Sequence, residues 1–163
     1  MRKILLLITM IFTVGIYAQH TSTGANSDWD SNAAWDQGTV PTASDDVIIN
    51  HAITVTVSTA VCNNITVNYN GGSGSLTVSG NDAKVDAGGT GTIGGLATVT
   101  GGSATNPATL DIAGNLSLSG SITVNAGQRF ILGSSGAVAN TTATGPIDIN
   151  SDSNLHGSFY NYG

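Results

Sequence analysis

Acidic and amide side chains alternate in the segment D-W-D-S-N-A-A-W-D near the N-terminus, at a spacing that could bind calcium. Calcium loops take oxygen ligands from alternating positions. The candidate ligands are Asp28, Asp30, Asn32 and Asp36. Ala33 stands where such loops have glycine and Thr39 where they have glutamate, so solvated turns are the alternative. The same two interpretations apply to a second set, which is Asp148, Asn150, Asp152 and Asn154. The sequence predicts no other cofactor.

Three aromatic side chains, Trp29, Trp35 and Tyr69, could stack on sugar rings. An exposed aromatic ring has an apolar face that suits the apolar surface of a sugar. Polysaccharide or surface glycan is therefore the candidate partner. For the two tryptophans we favour another role, which is to cover the end of a β-structure whose open edge would otherwise pair with another chain.

Groups capable of acid–base catalysis are few. Beyond the N-terminus the basic side chains are only Lys84 and Arg129, so a lyase would lack means to neutralise a substrate carboxylate. Asp86 and Asp111 could meet on adjacent strands as a glycosidase pair, but no pattern specifies it. The histidines, His20, His51 and His156, are scattered without zinc-site spacing. We predict no enzymatic activity; a polysaccharide-degrading enzyme is a remote alternative.

The composition indicates strands and turns throughout. Only 9% of the 163 residues are charged, there are 22 glycines, and all ten acidic residues are Asp. Such a chain is unsuited to surface helices and to nucleic-acid binding. Short β-branched runs, each closed by Gly, Asn or Ser, have the period of two that buries one face of a strand. These runs include residues 47–57 and start again at Ile65, Leu76, Ala97, Leu110, Leu116, Ile122, Phe130 and Ile147. The sequence predicts an all-β protein.

Two all-β architectures fit these runs. A parallel β-solenoid stacks equivalent positions about 4.8 Å apart, where like charges would repel and Thr, Ser and Asn would not, so the scarcity of charge favours it. The runs at Leu110, Leu116 and Ile122 would form successive sides of one coil. An antiparallel β-sandwich is the alternative, since Asn70-Gly71 is a favoured hairpin dipeptide.

Threonine recurs in the runs, as in ITVTV over residues 53–57, and could form a flat face of the kind that binds ice. The runs start at irregular intervals, which argues against a regular face. Threonine is also simply well suited to exposed strand positions. Ice binding is therefore a third-rank alternative.

The first eighteen residues have the pattern of a signal peptide. Arg2 and Lys3 precede an apolar run, and Ala18 is the small residue before the expected cleavage site. The run is shorter than a membrane span, and no second one follows. Cys62 is the only cysteine, so no internal disulfide can form and a buried apolar role is expected. The predicted location is extracellular or on the cell surface.

A further indication is a resemblance to a family. Trp29, Trp35 and the segment G-T-V-P-T-A-S-D-D-V-I-I over 38–49 resemble the opening of large bacterial surface proteins, and LDIAGNLSLSGSITVNAGQRFIL over 110–132 is similar to their coils. The resemblance implies a right-handed parallel β-helix, with adhesion rather than catalysis as its role. Such proteins are much longer and end in a sorting domain, so we expect a fragment, a truncated product or a short member.

Together these observations divide the chain into a signal peptide (1–18), a capping segment (19–46) and a β-solenoid (47–163). The expected function is that of a secreted or cell-surface structural or adhesive module without catalytic activity. A carbohydrate-binding module of a surface protein is the alternative. Self-association through the solenoid ends is expected, because strand edges there would be open.

Overall fold

The computed structural model describes residues 17–133, 141–143, 145–149 and 158–161, and it contains strands and turns but no α-helix in those residues. Two short 3-10 turns cover Asn32–Ala34 and Asn70–Gly72. The strands are β1 Gln19–Thr21, β2 Asp46–Ile49, β3 Ala52–Val55, β4 Ala60–Cys62, β5 Ile65–Val67, β6 Ser75–Ser79, β7 Lys84–Ala87, β8 Gly91–Ile93, β9 Leu96–Thr100, β10 Thr109–Ile112, β11 Leu116–Leu118, β12 Ser121–Val124, β13 Arg129–Leu132, β14 Thr141–Ala143, β15 Ile147–Ile149 and β16 Ser158–Asn161.

The strands form three parallel sheets. Sheet I has the order β1-β2-β5-β8-β11-β14, sheet II the order β3-β6-β9-β12-β15, and sheet III the order β4-β7-β10-β13-β16. From β2 onward each strand passes to the next sheet, so three strands make one coil and the chain winds through five coils. The protein is a three-sided parallel β-solenoid, which confirms the predicted fold class. The antiparallel sandwich is wrong: in the described part of the chain the one antiparallel contact is an isolated bridge between Ser22 and Trp35.

The core is a set of columns in which side chains of similar type stack from coil to coil. Along each strand alternate residues point inward, so equivalent positions of successive coils meet in register. One column on sheet II consists of Val55, Val78, Val99 and Val124, all fully buried. Cys62 belongs to another column. Burial raises the pKa of its thiol to about 12, with the charges of Asp86 and Asp46 adding to the effect, so this thiol is unreactive at neutral pH.

Corners absorb the irregular spacing of the strand runs. From β2 onward, register partners on sheet I lie 18 to 26 residues apart in the sequence. One set of partners is Val47, Ile65, Gly91, Leu116 and Thr141. The apolar run over 47–57 is not one strand, because a corner at Asn50 and His51 separates β2 from β3. The runs at Leu110, Leu116 and Ile122 do form three successive sides, on sheets III, I and II, as predicted.

Glycines form a column of their own where sheet I turns into sheet II. The members are Gly74, Gly95, Gly120 and Gly145. A Cβ on Gly120 would overlap the carbonyl oxygen of Gly95, and a Cβ on Gly95 would overlap that of Gly74. At these four positions each coil therefore rests directly on the backbone of the coil before it, which leaves no room for a side chain.

Gly120→Ala is expected to lower the free energy of unfolding by at least about 2 kcal/mol, since the added methyl group meets rigid backbone rather than a movable side chain. The measurement is equilibrium urea denaturation. Gly88→Ala is the matched control, because a Cβ there lies at an ordinary 3.8 Å from the nearest atom, the oxygen of Cys62. Equal stability of the two variants would show that the corner can open at little cost.

Candidate functional site

The segment before the first coil adds backbone pairing to two of the three sheets. On sheet I, β1 pairs in parallel with β2. On sheet II, the amide of Trp29 donates to the oxygen of Thr54 at 3.0 Å, and the amide of Thr54 donates to the oxygen of Ser27 at 2.6 Å. The first coil thus has its β2 and β3 edges covered by residues of the predicted capping segment.

Both tryptophans of this segment are buried under that pairing. Trp29 is 1% exposed and Trp35 is 2% exposed, and their rings meet edge to face at 5.0 Å between centroids. The indole Nε1 of Trp35 donates to the backbone oxygen of Trp29 at 2.8 Å. A sugar cannot reach either ring face, so the sugar-stacking hypothesis is wrong for these two residues. Tyr69, which is 66% exposed, is the one member of that candidate set with an accessible ring.

The candidate calcium ligands do not converge. Among the described residues no three His, Cys or Asp side chains lie close enough together to hold a metal ion. Asp36 instead accepts a hydrogen bond from the amide of Thr21 at 2.8 Å, and the Asp28 amide donates to the side chain of Asn26. The alternative of turn chemistry therefore fits Asp28, Asp30, Asn32 and Asp36 better than a calcium loop. Of the second set only Asp148 is described; Asn150, Asp152 and Asn154 lie outside the described residues.

The P-T-x-x-D part of the family-like motif is a closed turn. The carboxylate of Asp45 accepts hydrogen bonds from the amide and the hydroxyl of Thr42, at 2.8 and 2.7 Å, and lies 3.5 Å from the Nε2 atom of buried His20. Burial alone would raise the pKa of Asp45, but the bonds from Thr42 and the nearby His20 outweigh it and hold the pKa below its ordinary value. This turn joins the segment to β2.

The second aspartate of the motif begins a polar column at another corner. Asp46 accepts hydrogen bonds from the side-chain amides of Asn63 and Asn64, at 3.0 and 2.8 Å. Asn64 in turn accepts from the amide and the hydroxyl of Thr90 in the next coil. The carboxylate of Asp45 thus closes its own turn and that of Asp46 holds neighbouring coils together, so the motif is explained by structure without a ligand.

Asp86 and Asp111 are register partners on sheet III, as the sequence allowed but could not specify. The ammonium group of Lys84 lies 2.9 Å from the carboxylate of Asp86 and 3.4 Å from that of Asp111. Burial lowers the pKa of Lys84, but the hydrogen bond and charge of Asp86 and the charge of Asp111 outweigh this and raise it. The ammonium group of Lys84 offsets the repulsion between the two carboxylates that strand register brings together. The packing of adjacent coils therefore accounts for the group of Lys84, Asp86 and Asp111.

The sequence did not predict the structural roles of two buried or half-buried polar residues, Gln128 and His51. Gln128 is 2% exposed and bonds through its amide group to the backbone of Gly102, Ala108 and Ala126, which fixes the long loop of the third coil. His51 lies at the corner between β2 and β3, and its Nδ1 is 2.8 Å from the carbonyl oxygen of Ser22. Because a carbonyl only accepts, Nδ1 donates this bond, and in the neutral imidazole Nε2 is then an acceptor. Neither residue type has a sequence signature for such a position.

The outward face of sheet II carries a regular threonine row, contrary to the expectation from irregular run spacing. Thr54, Thr77, Thr98 and Thr123 are register partners in four successive coils. Extra residues are held in corners and loops, so they do not disturb the register of the strands. Neighbouring threonines of this row are about 4.8 Å apart, the usual spacing between adjacent strands.

Two clefts lie side by side along the corner between sheets I and II, and they share Gly72. The larger, of about 730 Å³, has polar lining from Asn26, Ser27, His51, Ser73 and Ser75. The smaller, of about 200 Å³, is lined by Tyr69, Leu96, Ser121 and glycines of the corner column. We call the two together the corner groove. It contains an accessible aromatic ring beside neutral hydrogen-bonding groups.

Comparisons of the chain with protein families, with curated proteins and with solved structures found no match. The class defined by the fold is a parallel β-solenoid, and the resemblance to bacterial surface β-helix proteins stays a prediction. No helix in the described part of the chain is long and apolar enough to cross a membrane. Residues 1–16 of the predicted signal peptide lie outside the described residues.

Asp45→Asn is expected to destabilise the protein at neutral pH and to have a smaller effect in acid. The folded-state pKa of Asp45 lies below the unfolded value, so its stabilising contribution is present above pH ~4 and is lost as pH falls through the folded pKa. Urea denaturation of both proteins between pH 7 and pH 2.5 measures the difference. Asp30→Asn, at an exposed site, should change stability at pH 7 by less than about 0.5 kcal/mol. A difference for Asp45→Asn that grows in acid would contradict this account.

Proposed function

We propose that the protein is an exported, non-catalytic structural module that spaces or displays adhesive surface outside the cell. The observation that carries this proposal is the continuous parallel pairing of coils around an apolar core in residues 46–133, from which we infer a stiff element. Stiffness along one axis is a mechanical property and needs no reactive group.

The groups that could have supported catalysis have structural partners, which favours this proposal over a polysaccharide-degrading enzyme. The carboxylates of Asp86 and Asp111 share Lys84, and no cleft described above includes either of them. Asp45 and Asp46 accept hydrogen bonds within the turn and corner that they stabilise. A pair of carboxyl groups working on a glycosidic bond would need access to substrate from a cleft.

Export is supported by the signal-peptide pattern of residues 1–18 and by two features of the residues that follow it. The β1 strand begins at Gln19, directly after the expected cleavage site, so removal of residues 1–18 keeps all residues of the described strands. It loses the hydrogen bond from the amide of Asp46 to the oxygen of Ala18. The single thiol is buried and unreactive, which suits an oxidising environment. The resemblance to bacterial surface β-helix proteins agrees with a location at the cell surface.

Expression of the full chain in a bacterium tests the proposal. We expect the exported protein to begin at Gln19 by N-terminal sequencing, to be accessible to antibody on intact cells, and to release no new reducing ends from a panel of polysaccharides. Ala18→Arg should block processing, because the cleavage site needs a small residue, whereas Ala25→Arg should not. A chain kept inside the cell with Met1 as its N-terminus, or polysaccharide cleavage, would overturn the proposal.

A second candidate function, ice binding, is favoured by the threonine row of sheet II. Threonine presents a hydroxyl and a methyl group, and four of them in register form a flat, uncharged array that could order water. The irregular spacing that counted against this function in the sequence does not affect the row.

For the ice-binding candidate, the protein should slow ice recrystallisation and Thr98→Lys should abolish the effect, because a charged, longer side chain breaks the flat row. Thr92→Lys is the matched control, since Thr92 lies on sheet I. The assay follows crystal size in a frozen sucrose solution. No inhibition by the unaltered protein, or equal inhibition by both variants, would exclude this face.

A further inference from the structure

We propose that the corner groove binds a neutral oligosaccharide, with Tyr69 as the stacking platform and His51 as a hydrogen-bond acceptor. This inference deepens the adhesive role and rests on the proposed function for its biological setting, since it identifies the surface that an exported module would use. The binding itself is a property of the folded chain and can be measured independently of export.

The length of the groove comes from one outward row of sheet II. Ala52 and Ser75 line the larger cleft, and their register partners in the next two coils, Leu96 and Ser121, line the smaller one. The groove therefore runs along the solenoid axis across four coils, or about 14 Å at the usual strand spacing. An extended chain ligand fits such a groove better than a compact one.

Tyr69 is held beside this row by a turn that is itself well bonded. In the turn at Asn70–Gly72, the side-chain amide of Asn70 donates a hydrogen bond to the backbone oxygen of Asn50 at 2.8 Å. The hydroxyl of Ser73 donates to the same oxygen. The ring of Tyr69 is 66% exposed, and Leu96, 44% exposed, lies on the same cleft. An exposed aromatic ring next to an apolar side chain offers a surface for the apolar face of a sugar.

The glycine column sets the depth of the groove. Because no side chain can be placed on Gly95 or Gly120, the backbone of the corner forms the floor below Tyr69 and Ser121. A sugar ring could then lie against the floor and the tyrosine ring together. Any residue larger than glycine would displace the coils, so the groove follows from how the corner is packed.

The polar half of the groove matches the hydroxyl groups of a sugar. The hydrogen bond from Nδ1 of His51 to the oxygen of Ser22 leaves Nε2 able to accept from a hydroxyl. Asn26, Ser27, Ser73 and Ser75 supply neutral donors and acceptors on the same cleft. No Asp, Lys or Arg lines either cleft, which favours a neutral glycan over a uronic acid or a sulfated chain.

A proline-rich peptide is less well suited to the groove. Peptide grooves of that kind are lined by several aromatic rings. Here Tyr69 is the one aromatic side chain lining the two clefts, and hydroxyl, amide and imidazole groups make up much of the remainder. The observed mixture is that expected for a ligand with an apolar ring face and a rim of hydroxyl groups.

The test is binding of the purified full chain to an array of neutral oligosaccharides of glucose, mannose, galactose and N-acetylglucosamine, beside uronic-acid and sulfated chains. Dissociation constants for any neutral ligand are then measured by calorimetry. We expect Tyr69→Ala to weaken binding at least about tenfold. Tyr69→Phe should bind like the unaltered protein, because the ring is kept. Ser121→Arg should also weaken binding by placing a bulky charge in the groove.

Ser117→Ala is the matched control, since Ser117 is exposed on sheet I of the same coil, outside both clefts and outside the threonine row, and it should bind normally. Each variant should keep the urea denaturation midpoint of the unaltered protein. The inference is overturned if no neutral glycan binds, if only charged glycans or peptides bind, or if Tyr69→Ala binds as tightly as Tyr69→Phe. If export is normal and no glycan binds, the glycan-binding inference is overturned and the proposed structural role stands. If a glycan binds and export fails, the proposed exported role is overturned and the binding inference stands.

Discussion

Parallel stacking in register is the constraint on which the rest of this structure depends. Each strand has as its neighbours the equivalent strands of the coils before and after it, so every side chain meets a counterpart about 4.8 Å away. Apolar counterparts reinforce one another, as in the valine column, and hydroxyl groups can stack without cost. Charged counterparts repel, and the one pair of described carboxylates in strand register, Asp86 and Asp111, has Lys84 between them. The scarcity of charge in the sequence is a consequence of this geometry.

The corners follow a second rule, because the backbone there changes direction and strand pairing cannot satisfy all of its polar groups. Side chains of Asp46, Asn64 and Thr90 bond from one coil to the next at one corner, and glycines allow direct backbone contact at another. At the first coil, pairing by β1 and by residues 27–29 covers two sheet edges, with the buried tryptophans beneath. The sequence motif that resembles bacterial surface proteins is located at this junction. Its two aspartates accept hydrogen bonds within the turn and the corner that they stabilise.

In the function proposed above, recognition depends on outward faces of the solenoid and not on a reactive centre. The threonine row and the corner groove both arise from outward positions of sheet II, one from the central row and the other from the row next to the glycine corner. They would recognise different partners, since one surface is flat and hydroxyl-rich and the other is concave with an aromatic ring. The four threonines and the lining of the groove are uncharged, although the threonine row is bounded in register by Asp28 at one end and Asp148 at the other.

The sequence by itself determined the all-β class and the inward faces of the strands with strong alternation, because period-two patterns are local properties of the chain. The scarcity of charge favoured the parallel solenoid but left the antiparallel sandwich open. The sequence did not reveal β8, since this strand has Gly91 where the pattern of the other strands has a large apolar residue. The space that a side chain would take at Gly91 is filled by Ile112 from a strand on another sheet. Nor did the sequence reveal the corner at His51 within an apolar run, the burial of Trp29 and Trp35, or the register that aligns threonines from unevenly spaced runs. Those features were decided by tertiary structure, since each depends on which residues of distant coils come into contact, and loop lengths between strands leave that contact unspecified.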